Sequence, residues 1–270
     1  MPYRACVVRD PAFVKKNRAS VSHRLSFAAK HPDKVVPYLR RMVRDSWLRV
    51  RTRGNHLAYY RAVMKSDTAR NPEAAVGSRT HKSWISLGNM QFRYLKQHGL
   101  APEHTMLEIG CGNLRAGRLF IAYLDEGHYT GVDISPDILE AATKTVEEYG
   151  LASKRPALAL VQDNKFGQFA DASFDVIHAH SVYSHCPLPV VDECFAHVGR
   201  ILKPSGHFDF TFDRTEGEEH HVLKEDFYYR TETLVALAEK HGLRAEFMGD
   251  WEQLRHNQSK IRITLPAGVT

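Results

Sequence analysis

The chain has 270 residues, of which 43% are apolar and 25% charged, with a formal net charge of +6 and four cysteines. That is enough apolar material for one large domain with an extension, and too much for a disordered chain. No uncharged apolar run is long enough to span a bilayer, the N-terminus lacks the apolar core of a signal peptide, and Cys6, Cys111, Cys186 and Cys194 form no C-x-x-C pair, so a reduced, cytoplasmic protein without disulfide frame or metal site is expected.

The charge is uneven. Residues 1–65 hold 16 Lys/Arg against 3 Asp/Glu, leaving 21 against 28 in the rest of the chain. Residues 1–80 are therefore expected as a basic helical extension ahead of a mildly acidic domain over 81–270. Such an extension suits a solvated face or docking, on its own chain or on a twin in a homodimer; nucleic acid or an anionic surface is the less favoured partner. Residues 11–66 read as two or three helices, broken at His31-Pro32-Asp33 because proline pushes its predecessor out of helical geometry. Val36, Leu39, Met42, Val43, Trp47 and Val50 recur at helical spacing among Arg40, Arg41, Arg44, Arg49, Arg51 and Arg53. That stripe is expected to pack on a domain, with a bilayer surface as the alternative. Residues 67–80 read as a linker. Residues 82–98 read as a helix with Trp84, Leu87, Gln91, Tyr94 and Leu95 near one side.

From residue 105 short apolar runs alternate with amphipathic ones. Strands are expected over 105–109, 129–133, 157–162, 174–179, 207–213, 244–250 and 259–265, and helices over 114–123, 136–148, 189–201 and 231–241. Ser135 serves as N-cap of the second helix, with Pro136 in its first turn and Gly150 beyond its end. This alternation predicts an α/β, Rossmann-like, doubly wound and mostly parallel seven-stranded sheet. The last two runs have no helix between them, so they must pair as a hairpin and the last strand is antiparallel.

Thr105-Met-Leu-Glu-Ile-Gly-Cys-Gly-Asn113 is a strand entering a glycine turn. Gly110 and Gly112 allow a sharp bend and a close ligand approach, and a helix from Leu114 would aim its first amides at that ligand. A dinucleotide fingerprint needs a third glycine at position 115, where this chain has arginine. Glu108 would also repel a pyrophosphate but favour a cation, which counts against a nicotinamide oxidoreductase.

With these residues in place, the sequence resembles the class I S-adenosylmethionine-dependent methyltransferases. The resemblance rests on five ordered motifs: Glu108-Ile-Gly110-Cys-Gly112; Tyr129-Thr-Gly-Val-Asp133; Val161-Gln-Asp163-Asn164; Ser173-Phe-Asp-Val-Ile-His178; and Leu202-Lys-Pro-Ser-Gly206. A narrower similarity, to a bacterial branch with G-C-G-x-L-R-x-G and S-V-F-T-H, rests on Cys111 to Gly117 and on Ser181-Val-Tyr-Ser-His185. The resemblance implies S-adenosylmethionine as cofactor and S-adenosylhomocysteine as product. It implies cofactor contacts from Glu108, Gly110, Cys111, Gly112 and Asn113. Asp133 and its neighbour Ile134 would bind the ribose, and Asp163 and Asn164 would read adenine. Arg115 would pair with the methionine carboxylate, and Gln91 would lie on a helix over the cofactor.

His178 and His180 alternate along one strand and so share a side, and His185 follows in the loop. His185, and after it His180, is expected to act as base on an acceptor hydroxyl; His180 also borders the cofactor, and His178 reads as structural. Tyr183, Asp213, Arg214, His221, Asn257 and Gln258 are the expected acceptor contacts. The implied activity is O-methylation of a small molecule, a natural product or a sugar. N- or C-methylation, RNA methylation using the basic arm, and a cofactor-binding module without turnover are the competing readings.

Overall fold

The computed structural model describes residues 43–53, 55–78, 80–222, 225–254, 256–266 and 268. It divides into two compact units, Met1–Arg51 and Thr52–Thr270. In the first unit residues 43–51 are helical. Val43, Trp47 and Val50, expected on a packed stripe, are exposed there. The break at His31-Pro32 and the positions Val36, Leu39 and Met42 lie outside the described residues. No described helix is long and apolar enough to cross a membrane.

The second unit opens with α1 (His56–Thr68), the single turn α2 (Pro72–Ala75) and α3 (His81–Gln97). Each begins at a side chain that accepts a backbone amide: Asn55 from Ala58, Asn71 from Glu73 and Ala74, Thr80 from Ser83. These caps satisfy donors that a helix start leaves open. The stretch expected as a linker therefore contains a helical turn, nucleated by Asn71-Pro72.

The sheet follows. Its parallel strands β1 (Met106–Ile109), β2 (Tyr129–Asp133), β3 (Ala157–Leu160), β4 (Phe174–Ala179) and β5 (Leu202–Arg214) lie in the order β3-β2-β1-β4-β5. Their crossovers are α4 (Gly117–Tyr123), α5 (Pro136–Glu148) and α6 (Leu188–Ile201). After β5 come a short hairpin, β6 (His220–Val222) and β7 (Asp226–Tyr229), then α7 (Thr231–Lys240), β8 (Arg244–Phe247) and β9 (Ser259–Thr264). β9 runs antiparallel between β5 and β8, and β7 adds parallel to the last two residues of β5. The fold is thus the expected Rossmann-like one, with two strands more than expected. Phe227 and Tyr229, buried on alternate positions, mark β7 inside a stretch that reads as a polar loop.

Several local expectations shift. The fourth helix begins at Gly117, not Leu114, because Leu114 sits at φ +61° and cannot continue a helix. Leu202 to Gly206, ahead of the strand expected over 207–213, already belongs to β5, where the pairing with β4 is irregular between Phe174 and Val176. Ser135 stands at the N-cap of α5 without a side-chain cap bond. Along β5, Phe208, Phe210 and Phe212 alternate with Asp209 and Thr211, so aromatics face one side and polar groups the other. The aromatic face packs with Phe195, Val191 and Ile261. On the polar face Asp209 is fully buried and holds Arg262 through two bonds of 2.7 and 2.9 Å, with Lys260 Nζ 3.7 Å away.

Candidate active site

The site is built where β1 and β2 end. Gly110 (φ +66°) and Gly112 (φ +56°) bend the chain through geometry that other residues adopt with strain. The amides of Gly110 and Cys111 both donate to the Val132 carbonyl, at 2.8 and 3.0 Å, folding the turn onto β2. Asp133, at the end of β2, accepts from the amides of Gly112 (3.1 Å) and Ser135 (3.0 Å). Burial raises its carboxyl to about 6, with the surrounding amides pulling the other way.

Glu108 is buried on β1 and accepts from the Tyr129 hydroxyl. Burial raises it to about 7, against the opposing influence of Tyr129 and Arg115. A Cβ on Gly117 would come within 2.8 Å of Glu108 Oε2 and 2.5 Å of Tyr129 Oη, so only glycine leaves room for this pair. Tyr129 and Gly117 stand inside the quoted motifs, yet nothing in their spacing signals their service to Glu108.

Around this turn the other expected cofactor residues are mostly engaged with protein. Asn113 accepts from Trp84 Nε1 (2.9 Å), joining the turn to α3. Arg115 is buried and donates to the Val76 carbonyl (2.5 Å) and Ser78 Oγ (3.3 Å); its Nε has no partner among the described residues. Burial lowers this guanidinium to about 10. Cys111 is buried, which pushes its thiol well up. Gln91 is buried between α3 and β4, with Oε1 3.2 Å from His178 Nε2 and its amide nitrogen donating to Leu87. Asp163 accepts the amide of Lys165 in a tight turn. Asn164 turns toward α6, binding Glu193 and Val190.

A helix that reads as part of the basic extension crosses this end of the sheet. Arg61 of α1 donates through Nε to the Ile134 carbonyl (2.7 Å) and through Nη2 to Gln162 (3.1 Å). Tyr60, one residue earlier, feels Cys186 and the carboxylates of Asp133 and Asp226; burial first, then these groups, push its hydroxyl well up. Tyr60 stacks on His185 at 5.6 Å. Neither Arg61 nor Tyr60 is signalled by a motif, because their role depends on α1 folding back over the sheet.

Beyond β4 the three histidines separate. His178 is fully buried and His180 leads into the loop, 5.8 Å from the Trp251 ring. Burial pushes both imidazoles well below the ordinary range, and the cations Arg115 and Lys260 add to this at His180. His185 is half-buried, with Nδ1 2.7 Å from the Glu225 carbonyl and 3.3 Å from Asp226 Oδ1. His56 Nε2 lies 2.8 Å from the His185 carbonyl, and Tyr59 donates to Glu225 Oε1 at 3.0 Å. α1 therefore braces the imidazole from its ring face, its own backbone and the residue that holds its Nδ1.

The expected acceptor contacts fare unevenly. Tyr183 is fully buried, donates to Cys194 Sγ and packs on Phe208 and Phe210. Gln258 spends its amide on Ser181, Ser184 and Thr211, latching the β4 loop to β5. Arg214 pairs with Glu216 (2.7 Å) and lies over Phe247, which turns it toward β8. Asp213 pairs in register with Tyr228. His221 and Asn257 are exposed.

Residues 107–208 match a family model described as a methyltransferase domain. A probable methyltransferase, ltbC, of Aspergillus luteorubrus is 26% identical over 151 residues, which is 54% of this chain and 50% of that protein. A polyketide synthase–nonribosomal peptide synthetase of Aspergillus clavatus is 32% identical over 120 residues, 44% of this chain but 3% of that protein. The chain thus spans half the first of these relatives and a small part of the second. The crystal structure of magnesium protoporphyrin IX methyltransferase from Synechocystis, with S-adenosylmethionine bound, superposes with a TM-score of 0.51 at 14% identity, covering 67% of this chain and 82% of that one. That likeness shows the fold. Residues 107–208 are thus similar to methyltransferase domains.

Proposed function

We propose that this chain is an S-adenosylmethionine-dependent methyltransferase acting on a small-molecule hydroxyl. One observation carries the reading. Two buried carboxylates, Glu108 and Asp133, meet at a two-glycine turn, and neither forms an ion pair among the described residues. Their partners are uncharged, so the site favours a ligand with positive charge and hydroxyl donors over a pyrophosphate. A sulfonium nucleoside has that chemistry. The residues present fit it: Asp133 keeps lone pairs for a ribose diol after accepting two amides, and Arg115 Nε has no hydrogen-bond partner among the described residues.

S-adenosylmethionine, when bound, supplies an already activated methyl group. The protein's work is then alignment and proton removal. With Nδ1 of His185 donating to the Glu225 carbonyl and facing Asp226, the imidazole presents Nε2 as a proton acceptor. Asp226 steadies the charge that forms there when a hydroxyl proton arrives. The match to a polyketide synthase–nonribosomal peptide synthetase supports a natural-product acceptor over a macromolecule.

Titration calorimetry tests the cofactor. The chain should bind S-adenosylmethionine and not NADH, and Glu108→Gln or Asp133→Asn should weaken binding by about tenfold or more, the scale of a lost charged contact. Binding of NADH instead, or indifference to both substitutions, overturns the reading. Turnover then tests the base: His185→Ala should lower kcat by about 10²–10⁴-fold while the cofactor Kd stays put. Equal losses in both, or none, remove His185 from the mechanism.

A further inference from the structure

The helix over residues 43–51 carries its own message, independent of methyl transfer. Val43, Trp47 and Val50 stand at i, i+4 and i+7, which places them in one narrow sector of the helix. They are 66%, 57% and 81% exposed. The opposite side holds Asp45 and Leu48, both buried, with Arg44 Nε donating to Asp45 at 3.1 Å. The helix thus has one side already spent and a second apolar side open. Arg51 and Arg44 border the open sector on one flank, and Ser46, then Arg49, follow on the other; the Arg51 guanidinium lies 5.0 Å from the Trp47 ring. Residues 34–65 contain nine Lys/Arg against one acid, Asp45.

We infer that this face is a membrane-docking surface for anionic lipid. An apolar sector containing a tryptophan and rimmed by arginines suits the boundary between headgroups and acyl chains: the apolar side chains enter and the guanidinium groups stay with lipid phosphates. Each basic group near an anionic leaflet adds to the attraction. A second copy of the chain is disfavoured as occupant, because apposing the two sectors would oppose two arginine rims. RNA is disfavoured because phosphate contacts make no use of Val43 and Val50. The surface would bring the protein to a bilayer reversibly, without a spanning segment.

Vesicle flotation with the full chain tests this. Vesicles of phosphatidylcholine with phosphatidylglycerol should carry the protein up, phosphatidylcholine alone should not, and added salt should release it. Trp47 reports directly, since Trp84 and Trp251, the other two tryptophans, are buried; its emission should shift to the blue on the anionic vesicles. The combined Val43→Ser, Trp47→Ser and Val50→Ser variant should lose about tenfold or more in vesicle affinity, and Arg44→Gln with Arg49→Gln and Arg51→Gln should do likewise. Thermal melting checks that both fold. Absence of flotation, binding to RNA that the serine variant leaves unchanged, or self-association abolished by the serine variant would each overturn the inference.

Discussion

The sheet buries acid at two places, and it treats them differently. Where β5 pairs with β9, Asp209 is clamped by Arg262 with Lys260 beside it. Burial alone would raise this carboxyl; the two cations hold it well below the usual carboxylate range. At the β1–β2 end, Glu108 and Asp133 have amides and a phenol for partners and are pushed up, to about 7 and about 6. The first acid is electrostatically complete and serves the fold. The second pair is left short of positive charge, at the sheet edge where parallel α/β sheets take ligands. A buried acid therefore says little by itself; its partner set says whether it is structural or poised for a ligand.

The largest expected effect breaks the complete site. Asp209→Ala leaves the buried Lys260 and the half-buried Arg262 without their counter-ion and should cost about 3–5 kcal/mol of stability, read as a lowered midpoint in chemical denaturation. Cofactor binding measured well below the melting temperature should survive. Next is Gly117→Ala, whose methyl group must push apart Tyr129 and Glu108. It should cost about 1–3 kcal/mol and, unlike Asp209→Ala, weaken S-adenosylmethionine binding in the folded protein.

Smaller effects sharpen the contrast through pH. Glu108 holds its proton more tightly folded than unfolded, so stability should fall as pH rises from about 4.5 to about 7, and Glu108→Gln should flatten that slope. Lys260 has the opposite sign. Burial lowers it to about 8, so the unfolded chain binds the extra proton, and stability should rise with pH between about 8 and 10.5. Lys260→Met should remove that rise. Denaturation curves across the two windows check both.

Much of the fold is legible in residue order. The strand over 174–179 and the helix over 136–148 have the bounds that periodicity predicts, because buried parallel strands are continuous apolar runs and helices carry a 3.6-residue stripe. The hairpin of β6 and β7 escapes, since Glu216 to His221 are polar and only Phe227 and Tyr229 betray a buried face. In the site, the glycine turn and Asp133 announce themselves through spacing. Tyr183 reads as a contact from its place in a loop motif, whereas its hydroxyl donates to the distant Cys194, which no spacing signals. The support of His185 by Asp226, Tyr60 and His56 joins segments 41 to 170 positions apart, and no local pattern encodes that.

Periodicity and turn chemistry act over a few residues, and so the alternation of elements, the bend after β1 and the acids on either side of it could be read from the chain alone. Which side chains are already spoken for is a matter of long-range neighbours. Folding α1 across the strand ends, turning Tyr183 inward and pairing Asp209 with Arg262 were settled by packing, because burial and partner choice depend on residues distant in sequence and near in space.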